Sequence, residues 1–145
     1  MSEEFMKWTE FRVRYQETDQ MNVVYYANYL VWFEIGRNEL FRELEIPYTF
    51  LEEKSIYIPV VKAECEYKHP ARYDDLVIVY TKISKLTPAQ IKFGYWIYRK
   101  EHSDNSERLL AVGSTSHAFV DETGKPISLS KKLPDTYQEI AEKAK

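Results

Sequence analysis

One segment of this chain runs on a different period from the rest. From Asn28 to Glu45, the residues Tyr29, Trp32, Phe33, Gly36, Leu40 and Leu44 recur at three- and four-residue steps. Glu34, Arg37, Asn38, Arg42 and Glu45 fall between them. That spacing predicts one amphipathic helix of about four to five turns. Asn28 is placed to cap its start, and Pro47 to stop it just after Ile46. The polar residues between them, Glu34 and Arg37 included, read as a solvated helix face or as a structural ion pair. Gly36 costs roughly 1 kcal/mol against alanine in mid-helix. On the apolar face, the compensation is close approach to a sheet.

The remainder has strand periods. Phe5 to Tyr15 alternates, with Phe11, Val13 and Tyr15 on one phase and Arg12 and Arg14 on the other. A polar loop follows, from Gln16 to Asn22. Asn22 is its residue best able to turn left-handed, because its short amide can bond locally. After the helix come strands at Tyr57–Tyr67, Leu76–Ser84, Ile91–Arg99 and Leu109–Val120, separated by turn signals. Short connections make the later strands antiparallel neighbours. Pro134 to Ala144 reads as a short, weakly packed terminal helix. One helix across one face of such a sheet is an α+β layer architecture. The run Leu76-Val77-Ile78-Val79-Tyr80 is apolar on both strand phases, yet one helix covers one face. A homo-oligomer is therefore expected.

Composition narrows the function classes. A length of 145 residues suits one domain, taken as 1–145. No run approaches the roughly 20 apolar residues of a membrane helix. The acidic start Met1-Ser2-Glu3-Glu4 does not read as a secretory signal, and the cytoplasm is the expected location. The single cysteine, Cys65, excludes a disulfide framework and reads as a packed strand residue. A formal net charge of -3 disfavours nucleic acid as a partner. Aromatic residues make up 15%, with Tyr 12, which suits sheets and subunit interfaces.

Most chemically interesting residues have structural explanations. His69, His102 and His117 are scattered without metal-ligand spacing, so no metal is expected. His102 reads as solvated, and His117 as a satisfied sheet histidine. Gly113-Ser114-Thr115-Ser116-His117 lacks the second glycine and the strand-to-helix turn of a nucleophile elbow. There is no glycine-rich phosphate loop. The loop before the helix differs. Asp19 lies there, followed by Val23-Val24-Tyr25-Tyr26-Ala27 into the helix entry, where backbone N–H groups are unpaired and the dipole is positive. A carboxylate beside such donors can carry out acyl transfer. Taken alone, Asp19 reads first as an ordinary loop aspartate.

The segment Tyr15-x-Glu17-Thr18-Asp19-x-Met21-x-Val23-Val24-Tyr25-Tyr26-Ala27-Asn28-Tyr29, with Phe33-Glu34-x-x-Arg37, resembles the signature of the hotdog-fold acyl-CoA thioesterases. The nearest branches are the 4-hydroxybenzoyl-CoA thioesterases and the Tol–Pal-associated short-chain enzymes. Glu66-Tyr67-x-x-Pro70-Ala71-Arg72-Tyr73-x-Asp75 resembles the family's second-to-third strand turn. Val120-Asp121-x-x-Gly124-Lys125-Pro126 resembles the end of its last strand, and the likeness spans about residues 8–135. It implies a hotdog fold: a five-stranded antiparallel sheet wrapped around the long helix. It implies Asp19 as catalytic nucleophile or general base, and the backbone amide of Tyr26 as oxyanion donor. Tyr15, Met21, Asn22, Val24 and Tyr25 then line the site. Many members have histidine where Tyr26 stands and glycine where Asn22 stands.

The resemblance further implies hydrolysis of an acyl-CoA, coenzyme A being part of the substrate and no cofactor being needed. The assembly implied is a homodimer or homotetramer with active sites between protomers. Two competing readings remain. One is a hotdog hydratase or dehydratase, which needs a histidine paired with a carboxylate. The other is a non-catalytic acyl-CoA binding or scaffold protein, which does not need Asp19. Lys62, Arg72, Lys85 and Lys92 are candidates for coenzyme A phosphates and equally for plain surface charge.

Overall fold

The computed structural model describes residues 5–144. The acidic stretch Met1–Glu4 lies outside the described residues. Strand β1 runs Lys7–Arg12, shorter than the alternation suggested. Val13 still exchanges backbone bonds with Asp74 and Asp75, but the chain then turns. Tyr15–Glu17 forms a single 3₁₀ turn, so Tyr15 leaves the strand phase of Phe11 and Val13 and stands in solvent.

Helix α1 spans Asn28–Glu43. Asn28 is its first residue and not its cap. The Asn28 side chain instead donates from Nδ2 to the Glu17 carbonyl at 2.9 Å. Two residues past the helix, Glu45 takes a left-handed φ of 60°, and Ile46 N–H reaches back to the Phe41 carbonyl. That ends the helix before Pro47 can. Pro47 instead precedes a second helix, α2, at Tyr48–Glu53, which the sequence pattern did not suggest. Trp32, Phe33, Gly36 and Leu40 are buried, as the period requires. A Cβ on Gly36 would collide with the side chains of Val79 and Thr81, so the glycine does permit close packing of α1 on the sheet.

The other strands are β2 (Val60–Tyr67), β3 (Leu76–Leu86), β4 (Gln90–Lys100) and β5 (Glu107–Ala118). They form one antiparallel sheet in the order β1-β3-β4-β5-β2. β3, β4 and β5 are a meander. β2 does not neighbour β3 as a run of short connections would have it: it pairs with β5 at the far edge, and residues 68–75 cross back over the end of the sheet. On the face away from α1, Trp8, Tyr80 and Trp96 stand in register across three strands. Trp8 is 57% exposed.

Two short helices close the chain: α3 at Leu129–Lys132 and α4 at Pro134–Lys143. α4 buries Ile140 in the main core, so it is a packed element and not a loose tail. Among the described residues, no helix is long and apolar enough to cross a membrane.

Candidate active site

The loop between β1 and α1 is a tight reversal. Thr18 and Val24 form an antiparallel bridge, and Asp19 N–H donates to the Val23 carbonyl at 2.9 Å. Between them the chain turns at Gln20–Asn22. Asn22 adopts φ 63°, the left-handed conformation expected of it. Its N–H closes the turn on the Asp19 carbonyl at 3.0 Å. The Asp19 carboxylate takes part with one oxygen only. Oδ1 accepts Met21 N–H at 2.8 Å, and Oδ2 has no hydrogen-bond partner among the described residues.

The helix entry is pinned with equal care. Tyr25 N–H donates to the Glu17 carbonyl, and the Tyr25 carbonyl accepts Asn28 N–H, both at 2.9 Å. A trans peptide holds its C=O and N–H on opposite sides. The Tyr26 N–H therefore points away from the helix turn that holds the Tyr25 carbonyl. Among the described residues, neither Tyr26 N–H nor Ala27 N–H has an acceptor. The Tyr26 carbonyl is engaged by Tyr29 N–H at 3.2 Å and by the Tyr67 hydroxyl at 3.1 Å. The result is a fixed peptide with an open donor at the positive end of α1.

Beside this peptide lies a cleft of about 320 Å³, lined by Val24, Tyr26, Tyr29, Tyr67, Lys68, His69 and Pro70. Tyr67 meets Tyr26 and Tyr29 edge-on, with centroids 6.4 and 5.1 Å apart. Burial and a bond to Cys65 push the Tyr67 hydroxyl up to about 12, and burial raises Tyr29. Both phenols are neutral donors at physiological pH. Asp19 is half-buried on the loop leading to the cleft and is not one of its lining residues. Of the other loop residues, Val24 lines it. Tyr15, Met21, Asn22 and Tyr25 stand outside it, exposed. Tyr25 shares a hydroxyl bond with Tyr26, which raises its pKa.

Three residues at or behind the site carried no such signal in the sequence. Tyr67 and His69 arrive by the crossover from β2, whose path is a tertiary fact. Glu17 looked like one more polar loop residue but is buried. Its Oε2 accepts the Trp32 indole N–H and its Oε1 the Arg14 N–H, each at 2.8 Å. The four basic residues named for coenzyme A phosphates are all exposed and outside the cleft, and Lys62 pairs with Glu64.

A second polar cluster lies in the core. Arg37 is half-buried and not on a fully solvated face: its charge lies beside the hydroxyls of Tyr48 and Tyr95, in a pocket that Glu34 also lines. Tyr95 Oη meets Thr115 Oγ1 at 2.6 Å, Thr115 Oγ1 meets His117 Nε2 at 2.8 Å, and His117 Nδ1 meets the Ile58 carbonyl at 3.0 Å. A carbonyl only accepts, so with a neutral imidazole the sense of the chain is forced from Tyr95 to Ile58. Burial, with the nearby Arg37 charge, holds His117 down at about 4. His117 is thus the satisfied sheet histidine that its phase suggested. Among the described residues, no three His, Cys, Asp or Glu side chains converge to hold a metal.

Residues 13–142 match the Thioesterase-like superfamily. The chain is 40% identical over 137 residues to YneP of Bacillus subtilis, a candidate acyl-CoA thioesterase, covering 94% of this chain and 95% of that protein. It is 31% identical over 131 residues to the acyl-CoA thioesterase YbgC of Haemophilus influenzae, covering 89% and 92%. In three dimensions it resembles the DHNA-CoA thioesterase of Staphylococcus aureus, with a TM-score of 0.87 and 30% identity over 94% of this chain and 89% of that one. The five-stranded antiparallel sheet with its long helix is the hotdog fold, and with these matches the chain belongs to the Thioesterase-like superfamily.

Proposed function

We propose that this protein hydrolyses acyl-CoA thioesters, with Asp19 as the catalytic carboxylate and the Tyr26 amide as the oxyanion donor. The observation that carries this reading is the pair of open polar groups on one pinned loop: Asp19 Oδ2 and Tyr26 N–H. The thioester carbonyl oxygen accepts the Tyr26 N–H, which strengthens as the carbon becomes tetrahedral and the oxygen negative. Asp19 either attacks that carbon directly or takes a proton from an attacking water. The C–S bond breaks and coenzyme A leaves as its thiol. The chemistry draws on water and these two groups, without a metal or redox cofactor.

The subunits act as a homodimer or homotetramer. β2 is an edge strand exposed on both faces, with Val61 58% exposed, and edge strands of this kind are normally covered. The Trp8–Tyr80–Trp96 row is a second apolar surface suited to a partner. A free Cys65 fits a reducing compartment, so the cytoplasm is the proposed location.

The test is release of free thiol from a panel of aromatic, short-chain and long-chain acyl-CoA substrates. Wild type should turn over at least one of them. Asp19→Asn should lose roughly 10²–10⁴-fold in kcat, the range of a lost acid–base group. Near-wild-type turnover by folded, assembled Asp19→Asn rejects the mechanism. Hydration of an enoyl-CoA without thiol release would favour the hydratase reading instead. That reading needs a histidine–carboxylate pair, whereas His69 in the cleft faces Arg108 at 3.4 Å. Sedimentation of the same sample as a 17.3 kDa species alone rejects the oligomer.

A further inference from the structure

We propose that Glu17 is the positioning residue of this site: its buried carboxylate, clamped by Trp32 and Arg14, sets the spacing between the Asp19 carboxylate and the Tyr26 amide. The inference rests on the reading in which those two groups act.

Glu17 is 6% exposed. A buried carboxylate is costly unless donors surround it, so its presence calls for a reason. Its two side-chain oxygens reach in different directions. Oε2 takes the indole N–H of Trp32, which sits on the buried face of α1 with no exposed surface. That indole cannot shift without moving the core, so it is a fixed reference point. Oε1 takes the Arg14 N–H, where the chain leaves β1, with Arg14 Nε 3.5 Å away. The main-chain carbonyl of the same residue accepts Tyr25 N–H and Asn28 Nδ2 at 2.9 Å each. Glu17 therefore ties the strand exit, the helix and the Tyr25–Tyr26 peptide to one another. Asp19 follows two residues later. The loop's opposite wall is held separately, by Val24 N–H on the Ala71 carbonyl.

A carboxylate is the group this clamp requires, because both side-chain partners are donors. Glutamine has nearly the same shape, but its amide must turn NH₂ toward either Trp32 or Arg14. One donor then faces another, and the loop relaxes to separate them. Misplacement of a catalytic group by about 1 Å can cost about 10²-fold in rate.

The experiment measures kcat, KM and melting temperature for Glu17→Gln and Trp32→Phe, each in wild-type and Asp19→Asn backgrounds. Trp32→Phe keeps a ring in the core and removes only the indole donor and its second ring. Glu17→Gln should lower kcat by about 10²-fold with KM little changed, assayed well below its melting temperature. Trp32→Phe should lower kcat in the same sense by a smaller factor. In the Asp19→Asn background both losses should nearly vanish, because residues acting through one group are not additive. A plain scaffolding role would lower the melting temperature and leave kcat per folded site alone. Full kcat in folded Glu17→Gln, or in Trp32→Phe should Glu17→Gln not fold, overturns the proposal. So does a loss of equal size in both backgrounds. Failure of the thioesterase reading looks different: wild type and Asp19→Asn would then hydrolyse acyl-CoA equally, whatever residue 17 does.

Discussion

Two polar clusters border α1, one in the loop before its first residue and one beneath Arg37 in the core, and they keep their hydrogen bonds in opposite ways. In the core, the chain from Tyr95 through Thr115 and His117 to the Ile58 carbonyl is saturated, with the Arg37 charge beside Tyr95. In the loop from Glu17 to Tyr26 the backbone is just as well anchored, yet among the described residues one carboxylate oxygen and two N–H groups are left open. Both clusters hold titratable residues and both border open space: Arg37 and Tyr48 line a pocket of about 180 Å³ with Glu34, and Val24 and Tyr26 line the cleft beside the loop. Perturbed ionisation is a poor guide to chemistry here: His117, whose pKa is lowered, belongs to the hydrogen-bonded core cluster, where burial is the main cause. Open polar groups on a rigid frame are the better marker, since a transition state can use a donor only if nothing else occupies it.

If the core cluster is structural, breaking it should cost stability and spare the chemistry. Arg37→Met keeps the apolar stem and removes the charged donors beside Tyr48 and Tyr95. Tyr48, which burial pushes up to about 12 against the pull of Arg37, then has no cation beside it. We expect a loss of about 2–3 kcal/mol, the range of hydrogen bonds to a charged group. Thermal or denaturant unfolding measures it. The rate per folded molecule should stay near wild type. A stable Arg37→Met protein that is nonetheless inactive would break the distinction between the clusters.

Acid should distinguish them next. His117 is held near 4 in the folded protein, against an ordinary value of 6.5 once unfolded. Above about pH 6.5 both states carry it neutral, and its contribution to stability is complete. As pH falls from 6.5 towards 4 the unfolded chain binds a proton that the folded one refuses, so stability drops through that window and levels off below it. Its surroundings explain the refusal. Burial is the main cause, Nε2 must accept from Thr115, and Arg37 places a positive charge nearby; the Nδ1 donation to Ile58 works the other way and is outweighed. In His117→Gln the side-chain amide can still donate at one end and accept at the other, so stability should vary less with pH across this window. Melting curves of both proteins between pH 4 and 7 check it.

The same contrast explains what could be read from the sequence. The long helix was legible because its period repeats through four turns. The left-handed Asn22 was legible because its short amide suits a tight polar turn, whereas Asp19 stood out only through the resemblance to the thioesterases. Arg37 was misread as solvated. Periodicity places it on the polar side of α1, but Tyr48 is brought over it by α2, a six-residue helix too short to show a period. Glu17 was misread for the opposite reason. Its neighbours Gln16, Thr18 and Gln20 are loop-like, and only the Trp32 indole, fifteen residues on, makes it a core residue. Tyr67 and His69 reach the cleft because β2 joins the far edge of the sheet, and no local pattern encodes that pairing.

The smallest expected effect tests the catalytic loop most narrowly. Tyr26 contributes its peptide N–H to the proposed chemistry, while its side chain is 62% exposed. The ring stands edge-on to Tyr67, and the hydroxyl reaches Tyr25. Tyr26→Phe preserves the peptide, the ring and the carbonyl that Tyr67 and Tyr29 hold. It removes one solvated hydroxyl bond, of the kind worth about 1 kcal/mol at most when exposed, so kcat should fall by no more than roughly fivefold. Steady-state thiol release with a substrate that wild type turns over gives the number. A large loss would mean that the hydroxyl takes part in the reaction, either as a proton donor or by holding Tyr25. A large loss in Tyr26→Phe together with an active Asp19→Asn would reverse the two roles. An unchanged rate in Tyr26→Phe, beside an inactive Asp19→Asn, leaves the backbone as the donor, because the phenol has then been shown to be dispensable.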